Sequence, residues 1–291
     1  MGILFGLFAA TFWGVGDFLI TLLTRRVGTR WALLAIQALS LVAWGLIVVS
    51  RFSPAPGSIS PALWGILLAT AVCHVLGLAF VYRAFEIGNL AIVSPISSAF
   101  AVVTAALALL TGERPPTLVL LGSALLIVGV TLATRARTEG PSPHALRGVP
   151  EALASAVAFG AMFWLFYFYV QPALGYTIPL VSLKVAAVAG SALAFLRRPP
   201  PSGESARAPE PRGSFALLAA LAAGAALADT LAWLTYIEGT HTAYATVVTA
   251  LASLFSAVTV LLAWRFFRER LAPHQWLGIA VILIGILIVS V

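Results

Sequence analysis

Asp17, His74, Lys184 and Asp229 are ionisable side chains set inside long apolar stretches, and their neighbours decide what they can do. Trp13 and Thr21 stand four residues either side of Asp17, so on a helix the three share one face. Trp233 follows Asp229 at the same spacing, with Tyr236 about one turn further on. A carboxylate beside an aromatic face suits an organic cation, which gains from charge and from cation–π attraction of roughly 0.5–2 kcal/mol. Alternatively each Asp is a hydrogen-bonded packing element, or is paired with Lys184. His74 either shuttles protons near neutrality or hydrogen-bonds a neighbour. Lys184 lies only a few residues into its apolar run, which favours snorkelling of its ammonium to the interface. Asp17, Asp229 and His74 are therefore the candidate proton carriers.

Two stripes of small polar residues accompany these groups. One carries Ser94, Ser97, Ser98 and Thr104, the other Thr246, Thr249, Ser253 and Ser256. Such stripes either pack helices closely or line a wet path. Pro95 removes one helical hydrogen bond and leaves backbone carbonyl capacity nearby. The run Phe163–Tyr169 is aromatic on every helical face, so some of it must meet lipid. The expected cavity is lined by Trp13, Asp17, His74, Ser94, Ser98, Asp229, Trp233, Tyr236, Thr249 and Ser253.

The elements that must position these residues follow from composition. Of 291 residues, 61% are hydrophobic and 9% charged, with a mean hydropathy of +1.02. Soluble domains carry roughly 25% charged residues, so such a chain cannot cover a water-facing surface. Its apolar runs are long enough to cross a roughly 30 Å hydrocarbon core as helix, and too long for barrel strands. Helices are expected at 2–22, 31–50, 62–82, 90–111, 117–134, 149–170, 177–196, 214–236, 243–264 and 273–291. The fold class is therefore an all-α membrane protein with ten transmembrane helices. The stretch 197–214, rich in Pro, Ser and charge, reads as a linker.

The chain also repeats itself. Glu113-Arg114 is followed by Gly122 and Gly129, and Glu269-Arg270 by Gly278 and Gly285, at a constant offset of 156. Tyr82 and Tyr236 each close a helix upstream. The repeat divides the chain into 1–134 and 149–291, joined by 135–148, with five spans each. An odd number of spans turns the halves in opposite directions, giving two inverted five-helix repeats around a central cavity. The Glu-Arg pairs read as fixed helix junctions.

With Phe12-Trp13-Gly14 in the first helix, Ser94-Pro95 in the fourth and Gly112-Glu113-Arg114 after it, the duplicated unit resembles the EamA-type transporters of the drug/metabolite transporter superfamily. That resemblance implies ten helices around a cavity and export or exchange of small metabolites such as amino acids, amines, nucleosides or drugs. The second half departs from the pattern: no Pro matches Pro95, and Trp264–Arg268 lengthens the approach to Glu269.

Function classes narrow accordingly. The net charge of +7 lies in loop arginines, which mark topology rather than nucleic-acid binding. Fourteen Arg fall in the loops after odd-numbered helices, against Arg51 and Arg114 in the others, so both termini are expected outside the inner (plasma) membrane. The single Cys73 excludes an intrachain disulfide framework. No phosphate-binding loop occurs, so energy is expected from proton or substrate gradients. The partners expected are a small-molecule substrate, the lipid bilayer and protons, with no cofactor, metal or nucleic acid, and a monomer suffices. Gly14-Val15-Gly16-Asp17 spells the GxGD of intramembrane aspartyl proteases, which keeps an intramembrane enzyme as the rival reading, with a channel as the third.

Overall fold

A computed structural model describes residues 2–50, 60–110, 117–134, 146–196, 213–240, 252, 254–268 and 271–289. Every regular element among them is helical. The first half holds α1 (Gly2–Val27), α2 (Thr29–Ser50), α3 (Pro61–Ile87), α4 (Leu90–Ser97), α5 (Phe100–Leu110) and α6 (Thr117–Thr134). The second holds α7 (Val149–Leu165), α8 (Gln171–Leu174), α9 (Thr177–Leu196), α10 (Phe215–Thr240), α11 (Phe255–Leu262) and α12 (Pro273–Val289). Two π-helical turns, Phe166–Val170 and Ala263–Phe267, continue α7 and α11.

Among the described residues, seven stretches are long and apolar enough to cross a membrane, including Leu4–Val27, Pro61–Ile87 and Phe215–Gly239. Their outer faces carry large apolar side chains: Leu46, Leu68 and Leu227 are each more than half exposed. A water-facing helix would place polar residues there, whereas lipid accepts these freely.

Several boundaries differ from expectation for local reasons. The first two helices run almost to each other, because Gly28 alone makes the turn with φ +79°, a conformation that a Cβ disfavours. The single helix expected over 90–111 contains Pro95 within α4 and is broken at Ser98–Ala99, where the Ala99 amide shifts to the carbonyl of Ile96 before α5 begins. Asn89 starts α4 by accepting the amide of Ala91 on its side chain. The expected start of the ninth helix, Thr246, Thr249, Ser253, the linker, Glu113-Arg114 and Glu269-Arg270 all lie outside the described residues.

Glycines let helices from different halves touch. A Cβ on Gly14 of α1 would lie 2.5 Å from the Val258 side chain of α11. One on Gly129 of α6 would lie 2.7 Å from the Ile282 backbone of α12. Without a hydrophobic drive between helices in lipid, such close packing is what holds them together.

Candidate functional site

Residues of α1, α2, α3, α4, α5, α7, α9, α10 and α11 line a cavity of about 150 Å³. Cavities of roughly that size admit a solute as large as benzene. Trp13, Gly16, Asp17 and Ile20 line it from α1, and Phe159, Met162 and Phe163 from α7. Asp229 and Trp233 line it from α10, Lys184 from α9 and Phe255 from α11. Its walls are mostly aromatic and aliphatic, with a few charged and polar groups aimed inward, as ligand pockets usually are.

The two carboxylates are held differently. Asp17 Oδ2 accepts the hydroxyls of Ser94 at 3.1 Å and Thr259 at 3.2 Å, from α4 and α11. Among the described residues no Lys, Arg or His reaches it as an ion-pair partner. Asp229 Oδ2 lies 2.6 Å from Lys184 Nζ and accepts Ser40 Oγ at 3.4 Å. Lys184 Nζ also donates to Gln37 Oε1 at 3.2 Å, and Gln37 Nε2 donates to Tyr82 Oη at 3.2 Å.

This overturns snorkelling for Lys184. Its side chain is 2% exposed, far below what a head group at the interface requires. An ammonium inside an apolar bundle needs a counter-charge, and Asp229 supplies it from the neighbouring helix.

His74 is 5% exposed, faces the cavity, and neither ring nitrogen has a hydrogen-bond partner among the described residues. The expectation that it bonds a neighbour is therefore corrected. Ser97 Oγ is in the same position. A buried donor or acceptor left unmade costs about 1–3 kcal/mol, which a solute or water in the cavity relieves.

Of the other expected lining residues, Trp13 and Trp233 meet edge to face, 5.4 Å between centroids. Tyr236 is not among the lining residues: it packs 5.8 Å from Trp13, and its hydroxyl is directed to that of Tyr167 at 2.7 Å. Ser94 sits behind Asp17 as its donor. Ser98 turns back to the carbonyl of Pro95 at 2.9 Å and is not among the lining residues; the helix break leaves that acceptor open, because the Ala99 amide bonds Ile96 instead. Thr249 and Ser253 lie outside the described residues. Thr259 and Gln37 belong to the site although sequence reasoning did not place them there, and Ser97, named only within its polar stripe, lines the cavity. Thr259 and Gln37 could have been found as polar residues in apolar runs, the rule that found Asp17.

A family model for the EamA-like transporter family matches residues 1–135 and again 146–291. The chain belongs to the EamA-like transporter family. As an EamA-family protein it is a multi-pass membrane protein of a transporter family. No curated protein matches the sequence. Among solved structures, 25 chains match. One, described only as "Crystal structure of protein", is 18% identical with a TM-score of 0.59, covering 99% of this chain and 94% of that one. At that identity the likeness concerns the fold of this EamA-family chain alone.

Proposed function

We propose that this protein is a secondary transporter of the inner (plasma) membrane that moves small amphipathic metabolites, amines or amino acids among them, by alternating access, in the direction of export or exchange. The observation that carries the reading is Asp17: a carboxylate without a cationic partner among the described residues, set in an aromatic cavity walled by both halves. A bare carboxylate at membrane depth is costly, and a cationic group or a proton arriving in the cavity removes that cost. Trp13, one turn away on the same helix, adds an aromatic face for an ammonium group. Asp229, already neutralised by Lys184, positions the polar wall instead.

Ten spans in two inverted halves, 1–134 and 149–291 with 135–148 between them, fit this mechanism. The contacts of α1 with α11 and of α7 with α5 support the arrangement. Gly14 packs on Phe255 and Val258, and Gly160 packs on Phe100 and Val103. These pairs correspond at an offset of 155 in the partner helices. The Asp17 and Asp229 carboxylates have separate partners and no contact with each other, which argues against a proton-sharing protease dyad.

Thermal unfolding of the purified protein across a metabolite panel tests the reading, because specific binding raises apparent stability. Stabilising compounds should then show counterflow in liposomes, and Asp17→Asn should lose it. A panel without a stabilising compound, or flux without counterflow, would overturn the carrier reading.

A further inference from the structure

Two aromatic closures bracket the cavity along α1, and each sits on or against a π-helical turn. Near Trp13, the hydroxyls of Tyr167 and Tyr236 meet at 2.7 Å, joining the turn Phe166–Val170 to α10. Tyr167 stacks on Phe163, and Tyr236 packs at a tilt against Trp13; Phe163 and Trp13 both line the cavity. Twelve residues along α1, about 18 Å at helical rise, Arg25 closes the other side. Its Nε donates to the carbonyl of Phe85 at 3.2 Å and its Nη2 to that of Gly88 at 2.8 Å. Its guanidinium lies 4.5 Å from the ring centroid of Phe267, the last residue of the turn Ala263–Phe267. Phe18 packs on both Phe266 and Phe267, and Ile20 and Phe85 line the cavity directly beneath.

The π-turns have local causes. In the first, the amide of Gln171 reaches five residues back to the carbonyl of Phe166, just before Pro172, which has no amide to give. The second ends at Arg268 with φ +53°, a left-handed conformation in a residue with a bulky side chain. π-helical turns are rare, occur mostly as single turns within α-helices, and are frequent at functional sites.

Resting on the transporter reading above, we infer that Tyr167–Tyr236 and Arg25–Phe267 are the two gates of the transport cycle, and that the π-turns are their hinges. Each gate joins the C-terminal part of a long helix, α1 or α7 with its continuation, to an element packed against the cavity. Opening the first gate breaks one hydroxyl–hydroxyl bond and slides Tyr167 off Tyr236. Opening the second withdraws Phe267 from the Arg25 guanidinium, while Arg25 keeps its two carbonyl acceptors in the first half. Either opening gives one face access to the cavity wall that carries Asp17.

The test needs no known cargo. Gly16→Cys in a Cys73→Ser background puts a thiol in the cavity wall, where the nearest atom to a new Cβ is Ala228 Cβ at 3.7 Å. Labelling by a membrane-impermeant thiosulfonate is then timed from each face, in intact cells and in inverted vesicles. Tyr167→Phe should raise the labelling rate from one face about fivefold, the factor that one lost hydrogen bond is worth, and lower it from the other. Phe267→Ala, or Arg25→Lys where the first variant folds poorly, should do the reverse. Unchanged rates in Tyr167→Phe and in the folded variant of the second pair would overturn the gates. Faster labelling from one face with no loss from the other would keep the gates but make the protein a channel, overturning the carrier reading.

Discussion

The Thr259 hydroxyl lies 3.4 Å from the carbonyl of Gly14, across the boundary between the two halves. Thr104 makes the corresponding contact with Gly160 at 3.0 Å. Both threonines also bond the carbonyl one turn back in their own helix, Phe255 and Phe100. The helices thus cross in matched pairs, α1 on α11 and α7 on α5, with a glycine at each crossing. What breaks the match is chemistry. Counting three residues on from each glycine gives Asp17 in one helix and Phe163 in the other. Only Thr259 has a carboxylate to hold.

Those glycines should be intolerant of even one methyl. A Cβ at Gly14 would sit 2.5 Å from Val258 Cβ and 2.7 Å from the Phe255 carbonyl, and one at Gly160 would sit 2.4 Å from Val103 Cβ. Backbone cannot yield as a flexible side chain can, so Gly14→Ala and Gly160→Ala should each destabilise by about 1–3 kcal/mol. Gly16→Ala, whose new methyl would meet only Ala228 Cβ at an ordinary 3.7 Å, should stay near neutral. Detergent thermal unfolding of the three variants checks the contrast, and equal behaviour at Gly14 and Gly16 would refute the crossing.

The Lys184–Asp229 pair should behave as a unit. Lys184→Met leaves a carboxylate facing the cavity without its cation and should cost about 2 kcal/mol, less than the roughly 3–5 of a wholly buried pair because Asp229 keeps some access to the cavity. Asp229→Asn strands an ammonium that is nearly fully buried, and should cost more. The double variant should recover part of the loss. Additive losses in a double-mutant cycle would mean that the two residues act independently.

Much of this is legible in the residues alone. Apolar run length marks the spans, and the cost of charge in lipid picks out Asp17, His74, Lys184 and Asp229, all of which line the cavity. Partnerships are not legible. Helical spacing tells which residues share a face, but not that Lys184 of α9 meets Asp229 of α10, since that depends on how helices rotate against each other. Depth along one helix argues for snorkelling of Lys184, and tertiary packing overrides it. Ser98 departs from expectation for a related reason: the helix breaks at Ala99, and the Pro95 carbonyl that an unbroken helix would keep occupied accepts the Ser98 hydroxyl. The π-turns leave no periodic signature, although Pro172 hints at the first.

Orientation follows from the arginines. With fourteen Arg in one loop set and two in the other, the face carrying Arg25 and Arg83 should be cytoplasmic and both termini outside. Single cysteines placed after Val289 and within 197–212 should label oppositely in intact cells, the tail reacting and the linker protected. Labelling of the linker but not the tail would reverse the assignment.

Asp17 is where the transport reading is most exposed to test. Asp17→Asn keeps the side-chain volume and an oxygen that can accept from Ser94 and Thr259, so folding should be little changed. The negative charge goes, and with it the reason for a cationic group to enter an aromatic cavity; flux of a cationic or zwitterionic cargo should fall at least about tenfold, the equivalent of one charge-assisted hydrogen bond. Thr259→Val removes one of the two hydroxyl donors but leaves the carboxylate, so it should weaken transport by about fivefold without abolishing it. Ser94→Ala should match it, because the two hydroxyls share the same oxygen at nearly equal distance. Counterflow of a stabilising compound in liposomes measures all three. If Asp17→Asn carries cargo as well as the unmodified protein while Thr259→Val lowers thermal stability, the carboxylate is a packing element between α1, α4 and α11, and the cargo's charge must be met elsewhere in the cavity.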